Sequence, residues 1–175
     1  SEIEAKLFNE LKNQISIFIK EIQHNSNVIA TLDCLQGLSQ TAIDNNYIKP
    51  EIDNSPNIEL IEARHPVVEK ILPVGTKFTP NDTTLNTNDE QVHIITGPNM
   101  SGKSCYLRQV AVNVLLAQIG SFVPAKSAKI GLVDKIFTRV GAQDNLASGE
   151  STFLVEMQEA ANILNNATQK SLILL

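Results

Sequence analysis

The sequence has few aromatic residues, few cysteines and few basic residues. It has no tryptophan, and aromatic residues make up 5% of its 175 positions. The two cysteines, Cys34 and Cys105, form no C-x-x-C motif, which excludes a disulfide-rich framework and favours a reducing compartment. No apolar run approaches the roughly 18 residues that a membrane-spanning helix needs. We therefore expect a cytoplasmic protein with no membrane partner.

Basic residues are outnumbered by acidic ones. Lys and Arg total 14 against 19 Asp and Glu, which gives a formal net charge of -5. A domain that binds nucleic acid by itself usually carries a basic patch or stripe, so we expect any DNA contact to be local or to lie elsewhere. The 42% of hydrophobic residues excludes a disordered chain and is enough for a packed core.

The beginning of the sequence has helical periodicity. Apolar residues recur every three or four positions over residues 3–22, which is typical of one long amphipathic helix. The polar residues 24–27 predict a break, and a second apolar stripe over residues 28–42 predicts another helix. We expect the two helices to form an antiparallel hairpin.

A polar, proline-containing link over residues 49–57 separates this part from a different pattern. It predicts a domain boundary near residue 55, with a helical segment at 1–55 and a second domain at 56–175. The second domain alternates strands with helices, which predicts an α/β fold with a mostly parallel sheet. Strands are predicted at 58–63, 92–96, one or two within 129–140, and 172–175. Helices are predicted at 102–119 and 153–167, the second with an inner face of Phe153, Met157, Ala160, Ala161, Leu164 and Ala167.

Residues 97–104 read Gly-Pro-Asn-Met-Ser-Gly-Lys-Ser and fit the phosphate-loop pattern G-x-x-x-x-G-K-[ST], between a predicted strand and a predicted helix. Gly97 and Gly102 permit backbone torsions that turn successive N–H groups around phosphate oxygens, and the helix N-terminus adds its dipole. Lys103 would then reach the β- and γ-phosphates, and the Ser104 hydroxyl would ligate Mg²⁺. The alternative is a glycine-rich turn with a solvated lysine, but the spacing and context favour nucleotide binding.

A second loop, residues 144–153, is also rich in glycine and hydroxyl groups and leads into the last predicted helix. Its composition fits an anion site, but ordinary helix capping is the commoner explanation for such a loop. The residues alone leave both interpretations open.

Several longer stretches, in the same order and spacing, resemble the ATPase module of the MutS family of DNA mismatch repair proteins. They are Thr-Gly-Pro-Asn-Met-Ser-Gly-Lys-Ser at 96–104, Tyr-Leu-Arg-Gln at 106–109, Ile-Phe-Thr-Arg-Val-Gly-Ala at 136–142, Leu-Ala-Ser-Gly-Glu-Ser-Thr-Phe at 146–153 and Val-Glu-Met at 155–157. Residues 62–68 resemble the start of that module, and the helical segment resembles the lever helices that join it to the DNA clamp. The resemblance implies a partial P-loop NTPase domain of the ABC type, preceded by a helical hairpin.

The same resemblance implies roles for individual residues. Such ATPases work as dimers that hold ATP or ADP with Mg²⁺ between the P-loop of one subunit and the signature loop of the other. The residues implied in catalysis are Lys103, Asn99 near the γ-phosphate, and Ser151, which would reach the γ-phosphate held by the partner. Ser104 is the implied metal ligand. The implied nucleotide-binding residues are Gly97, Pro98, Asn99, Met100, Ser101, Gly102, Lys103, Ser104, Cys105 and Phe78, the last by stacking on adenine or, equally well, as a plain apolar anchor.

The resemblance also implies partners. They are a second ATPase subunit in a homodimer or related dimer, mismatched DNA bound through other domains, and downstream mismatch repair factors. The visible sequence ends where an Asp and a Glu are expected to follow Leu175, so we expect this segment to bind ATP but not to hydrolyse it efficiently; ATPase activity is expected of the intact protein. Two alternatives stay open: a MutS-like paralogue acting outside mismatch repair, and a non-catalytic nucleotide-binding interaction module.

Two positions depart from the family pattern. Cys105 stands where the family usually has Thr, and Glu150 stands where many members have Arg. A thiol at a helix N-terminus can have a lowered pKa and become oxidisable, but an inert buried thiol is the commoner case. The effect of Glu150 on contacts between subunits does not follow from the sequence.

Overall fold

The computed structural model describes residues 2–73, 75–139 and 152–175, without the side chains of 152–154 and 156. The chain divides into two compact units, Ser1–Thr41 and Ala42–Leu175. The functional boundary near residue 55 stays a prediction.

Two helices make up the first part of the chain: α1 (Glu2–Ser16) and α2 (Ile19–Asp44). The predicted break at residues 24–27 is wrong, because these residues lie inside α2. Their weak helix propensities cost only a few tenths of a kcal/mol each, about 0.7 at most, and a long helix propagates through them. The helices do not pack side by side, so the predicted antiparallel hairpin is also wrong for the described residues.

The apolar stripe of α1 is present but exposed. Ile3, Leu7, Leu11 and Ile15 lie four residues apart, and no residue of α1 is buried. The described part of the chain therefore supplies no cover for this face.

Among the described residues, six strands and three helices begin within the second unit. The strands are β1 (Glu51–Asp53), β2 (Ile58–Ala63), β3 (Asn81–Leu85), β4 (Ser127–Gly131), β5 (Lys135–Thr138) and β6 (Ser171–Leu174). The helices are α3 (Pro66–Ile71), α4 (Lys103–Gln118) and α5 (Thr152–Asn166). The predicted strand at 58–63 and the helix at 102–119 are confirmed, as are α5 and β6. Of the one or two strands predicted within 129–140, two are present, β4 and β5, and β4 begins two residues earlier.

The larger sheet is mixed rather than mostly parallel, and the smaller one is parallel. Four strands form one sheet in the order β1-β4-β2-β3, while β5 and β6 form a second sheet. The pairs β1–β4 and β5–β6 are parallel, and β2 is antiparallel to both β3 and β4. The prediction of α/β architecture holds, but among the described strands half of the pairings are antiparallel.

Two local predictions are wrong, one of them only in part. Residues 92–96 form no strand, and Ile94 is 87% exposed. Their β-branched side chains suit a strand, but a strand forms only where a neighbouring edge accepts its hydrogen bonds, and no described strand pairs with them. The predicted inner face of α5 is right only in part: among its described side chains Ala160 and Ala167 are half-buried, but Met157 is 47% and Leu164 83% exposed, while Ile163, outside the predicted face, is buried. The side chain of Phe153 lies outside the described ones.

The core of the second unit lies between α4 and both sheets. Val110, Val114 and Ala117 of α4 share one buried cluster with Leu60 of β2 and Ile130 of β4. Each large apolar side chain contributes about 1.5–3 kcal/mol when fully buried. This packing fixes the axis of α4 and therefore the position of the loop that precedes it.

A close approach of two backbones requires glycine at the end of β4. The Gly131 N–H donates to the Asn57 carbonyl at 2.7 Å. A Cβ at this position would overlap the Ser55 carbonyl oxygen and lie 3.0 Å from the carbonyl oxygen of Asn57. No rotamer can relieve a clash with backbone atoms.

We predict that Gly131→Ala lowers the free energy of unfolding by about 1–3 kcal/mol, the usual cost of overpacking. Gly37→Ala is the matched control, because nothing lies within 4 Å of its added Cβ on exposed α2, and there alanine should be neutral or stabilising by about 1 kcal/mol or less. Urea unfolding followed by circular dichroism measures both. Equal midpoints for Gly131→Ala and the parent chain would contradict the close approach.

Candidate phosphate-binding site

The backbone of the loop that precedes α4 adopts torsion angles that glycine permits. Gly97 has φ 149° and Gly102, the N-cap of α4, has φ 95°. Met100 also has a positive φ, 64°, in the left-handed region that non-glycine residues enter at a cost. The Ser101 N–H donates to the Pro98 carbonyl at 3.3 Å, which closes the turn. The predicted loop between residue 97 and the helix is therefore present.

Lys103, the first residue of α4, folds back over this loop. Its ammonium donates to the carbonyl oxygens of Gly97 at 2.5 Å and Pro98 at 2.7 Å. A side chain at Gly97 would crowd this arrangement, because a Cβ there would lie 3.0 Å from Ser101 Oγ and 4.0 Å from Lys103 Cδ. The lysine charge is thus held against the loop.

The beginning of α4 suits an anion. Gly102 provides no side-chain cap, and the first turn contains no acidic residue. The first N–H groups of a helix lack intrahelical partners, and the helix dipole places partial positive charge there. These features, together with the Lys103 ammonium, fit a phosphate group.

A magnesium ion at this site would need phosphate oxygens among its ligands. Within the described residues no group of three or more His, Cys, Asp or Glu side chains could hold a metal. The exposed Ser104 offers one hydroxyl, and Mg²⁺ usually completes its octahedral shell with water and phosphate oxygens. Ser104 fits that role as a single protein ligand.

The structure brings most of the predicted residues together. Those in the loop and first turn of α4 are Gly97, Pro98, Asn99, Met100, Ser101, Gly102, Lys103, Ser104 and Cys105, of which only Lys103 and Cys105 are half-buried and the others are exposed. Phe78 is half-buried, in the segment before β3. Ser151 and the loop 144–150 lie outside the described residues.

A cavity of about 860 Å³ opens beside the start of α4. Lys103, Ser104 and Tyr106 contribute its polar residues on the helix, and Ile95 and Leu172 are among its apolar lining residues. Phe78 is not among the residues that line it. The structure therefore does not join Phe78 to the phosphate loop, and adenine stacking by this residue stays a prediction.

Tyr106 attaches the first turn of α4 to β3, which the sequence analysis did not foresee. Its hydroxyl lies 2.8 Å from Thr83 Oγ1 and donates to the Asp82 carbonyl at 3.3 Å. Thr83 is only 3% exposed, so its hydroxyl has little access to water. This hydrogen bond helps to fix the loop-bearing end of α4.

We predict that Tyr106→Phe lowers the free energy of unfolding by about 1 kcal/mol, because it leaves the buried Thr83 hydroxyl without this partner. Thr83→Val in the Tyr106→Phe background should cost less than Thr83→Val alone. A double-mutant cycle by urea denaturation measures the coupling. Strictly additive effects of the two substitutions would show that the hydroxyls do not interact.

Cys105 follows the phosphate loop but is not an activated thiol. Burial raises the pKa of Cys105 above its ordinary value, and the charge of Arg108 offsets only part of this effect. The thiolate is the reactive form. The structure therefore favours the inert thiol over the oxidisable one.

We predict that Cys105 reacts with iodoacetamide more slowly than the exposed Cys34 at neutral pH. A raised pKa reduces the thiolate fraction, so the Cys105 rate should keep rising as the pH is brought above the ordinary thiol range. Peptide mass spectrometry after timed alkylation separates the two sites. Faster labelling of Cys105 would contradict the burial effect.

The sequence patterns also did not predict several buried polar residues near the loop. Gln109 and Asn113 of α4 are fully buried, and His65 caps α3 through Nδ1, which accepts from the N–H groups of Val67 and Val68 at 3.3 and 3.4 Å. Burial lowers the pKa of His65, a backbone hydrogen bond offsets part of this effect, and the charge of Arg108 adds to the lowering. The lowered pKa favours the neutral ring, which can accept at Nδ1. The sequence does give one indication of these buried amides, because Gln109 and Asn113 lie four residues apart on a largely apolar stretch of the helix.

No helix in the described ranges is long and apolar enough to cross a membrane. The second unit is thus a mixed α/β unit with a phosphate-type loop at the start of a buried helix.

Comparison with known proteins agrees with this class. The sequence profile of a family described as MutS domain V matches residues 93–175.

Three relatives, each named DNA mismatch repair protein MutS, match nearly the whole chain. The protein of Salinibacter ruber is 60% identical over 172 residues, which are 98% of this chain and 19% of the relative. That of Phocaeicola vulgatus is 58% identical over 98% of this chain and 20% of its own length. That of Clostridium tetani is 54% identical over 99% of this chain and 20% of its own length. The chain belongs to the MutS family of DNA mismatch repair proteins and spans about a fifth of the length of these relatives.

Proposed function

We propose that the chain is the nucleotide-binding part of a mismatch repair ATPase of the P-loop, ABC type. The observation that carries the proposal is the position of Lys103, at the first turn of α4 and 2.5 Å from the Gly97 carbonyl. A glycine-shaped loop, an uncapped helix start and a lysine are the three groups that bind nucleotide phosphates in such proteins. The membership in the MutS family supports ATP as the nucleotide.

Within this proposal each residue has a distinct task. The backbone N–H groups of the loop and the Lys103 ammonium bind the phosphates of ATP or ADP, and Ser104 ligates Mg²⁺. Bound Mg²⁺ would supply charge neutralisation on the phosphates. Asn99 lies in the loop, where its amide would approach the γ-phosphate. Electrostatic stabilisation of this kind is usually the largest contribution to phosphoryl transfer.

Further parts of the proposal concern the intact protein. We propose that it forms a homodimer or related dimer in which Ser151 of the partner subunit completes the nucleotide site. Nucleotide state would be coupled to the binding of mismatched DNA by domains beyond this chain, and downstream repair factors would respond to it. The names of the relatives support mismatch repair as the setting. The cytoplasm is the compartment that we propose.

We predict that Lys103→Ala in the intact protein weakens the binding of fluorescent ATP with Mg²⁺ by at least about tenfold. A hydrogen bond to a charged group contributes about 1.5–3 kcal/mol, and about 1.4 kcal/mol corresponds to a tenfold change in affinity. Equilibrium titration at several protein concentrations measures the dissociation constant.

Lys126→Ala is the matched control for this experiment. It removes the same charge, but the Lys126 ammonium is exposed and pairs with Glu62 at 2.6 Å, so ATP affinity should not change. Equal ATP affinity in the Lys103→Ala and parent proteins would overturn the proposed site.

A further inference from the structure

Arg64 occupies the turn between β2 and α3, where its backbone joins two other elements. Its N–H donates to the Pro124 carbonyl at 2.8 Å. Its carbonyl accepts from Asn113 Nδ2 of α4 at 3.2 Å. The backbone of Arg64 is therefore fixed between the segment before β4 and the helix that begins at the phosphate loop.

The side chain of Arg64 reaches the end of α2. Its Nη2 donates to the carbonyl oxygens of Asn45 at 3.0 Å and Asn46 at 3.2 Å. These residues follow the last residue of α2, and Asn46 has φ 52°, in the left-handed region common after helix ends. A cation is favoured there because the C-terminal carbonyls carry partial negative charge. Arg64 Nε also lies 3.2 Å from Glu69 Oε1 of α3.

The end of α2 is itself held in the second unit. Ala42 is buried, and its carbonyl accepts from the Tyr47 N–H at 2.9 Å. Ile48 and Val123 exchange two backbone hydrogen bonds, each of 2.9 Å. The carbonyls that Arg64 contacts therefore follow a helix end that is itself held by backbone hydrogen bonds in the second unit.

The face of α4 that meets Arg64 has unsatisfied polar atoms. Gln109 is 0% exposed, and neither of its amide atoms has a hydrogen-bond partner among the described residues; the same holds for Asn113 Oδ1. Buried polar atoms without partners are costly and rare. Asn113 lies one turn further along the same helix, and its Nδ2 donates to the Gln109 carbonyl at 2.8 Å.

We propose that Arg64 is a positioning residue that couples the phosphate loop to the C-terminal end of α2. The proposal rests on the proposed function. When phosphate takes Lys103 away from the Gly97 and Pro98 carbonyls, the start of α4 changes its contacts. Asn113 transmits the resulting shift of α4 to the Arg64 backbone, and the guanidinium transmits it to the carbonyls of Asn45 and Asn46.

The test compares Arg64→Ala and Arg64→Lys in the intact protein with Lys126→Ala as the control. Two quantities are measured: the dissociation constant for fluorescent ATP, and the ratio of dissociation constants for a mismatched DNA duplex with and without a non-hydrolysable ATP analogue. Coupling between two sites usually amounts to about 5- to 150-fold. Lys126→Ala should leave both quantities unchanged.

Arg64→Ala should bring the DNA-affinity ratio close to one while ATP affinity stays within about threefold of the parent, a change below the usual coupling range. Arg64→Lys should have an intermediate ratio, because its ammonium keeps the charge but lacks the planar fork of donors. An unchanged ratio in folded Arg64→Ala protein, with normal ATP binding, would overturn this inference alone.

A second measurement covers the case in which Arg64→Ala does not fold. Amide hydrogen exchange at residues 42–47 should respond to the ATP analogue in the parent protein and respond less in Arg64→Lys. Equal responses in both proteins would overturn the inference. If Lys103→Ala has no effect on ATP affinity, the proposed function fails first, and this inference fails with it.

Discussion

The packing of α4 against the two sheets is the contact on which the candidate site depends. Val110 and Val114 share one buried cluster with Leu60, Ile130 and Leu172, and this apolar packing determines where the helix begins. The phosphate loop has few contacts of its own, since most of its residues are exposed. Its position is therefore a consequence of the core behind it, with the Tyr106 hydroxyl adding a polar link to β3.

Local elements with a strong pattern could be predicted from the sequence. Strand β2 matches its predicted range because both ends are marked, by a proline-containing link before it and by His65-Pro66 after it. The bounds of α4 follow from Gly102 and Gly120, which begin and end its apolar run. The phosphate loop could be predicted equally well, because its spacing and its place before a helix follow from chain order alone.

Features that depend on distant parts of the chain could not be predicted in this way. Residues 92–96 have strand-forming side chains, but pairing is decided by the neighbouring edge and not by propensity. The prediction of a helical hairpin was wrong because polar residues 24–27 weaken a helix without ending it. The hydrogen bonds of Arg64 to Asn45, Asn113 and Pro124 join segments that are far apart in the chain, and such contacts are a property of the tertiary fold.

In the proposed site the Lys103 ammonium exchanges the loop carbonyls for nucleotide phosphate. A crystal structure of the intact protein with Mg²⁺ and a non-hydrolysable ATP analogue would reveal this exchange. We expect Lys103 Nζ within hydrogen-bond distance of a phosphate oxygen and away from the Gly97 and Pro98 carbonyls. An analogue bound elsewhere, with Lys103 still on those carbonyls, would rule out the exchange.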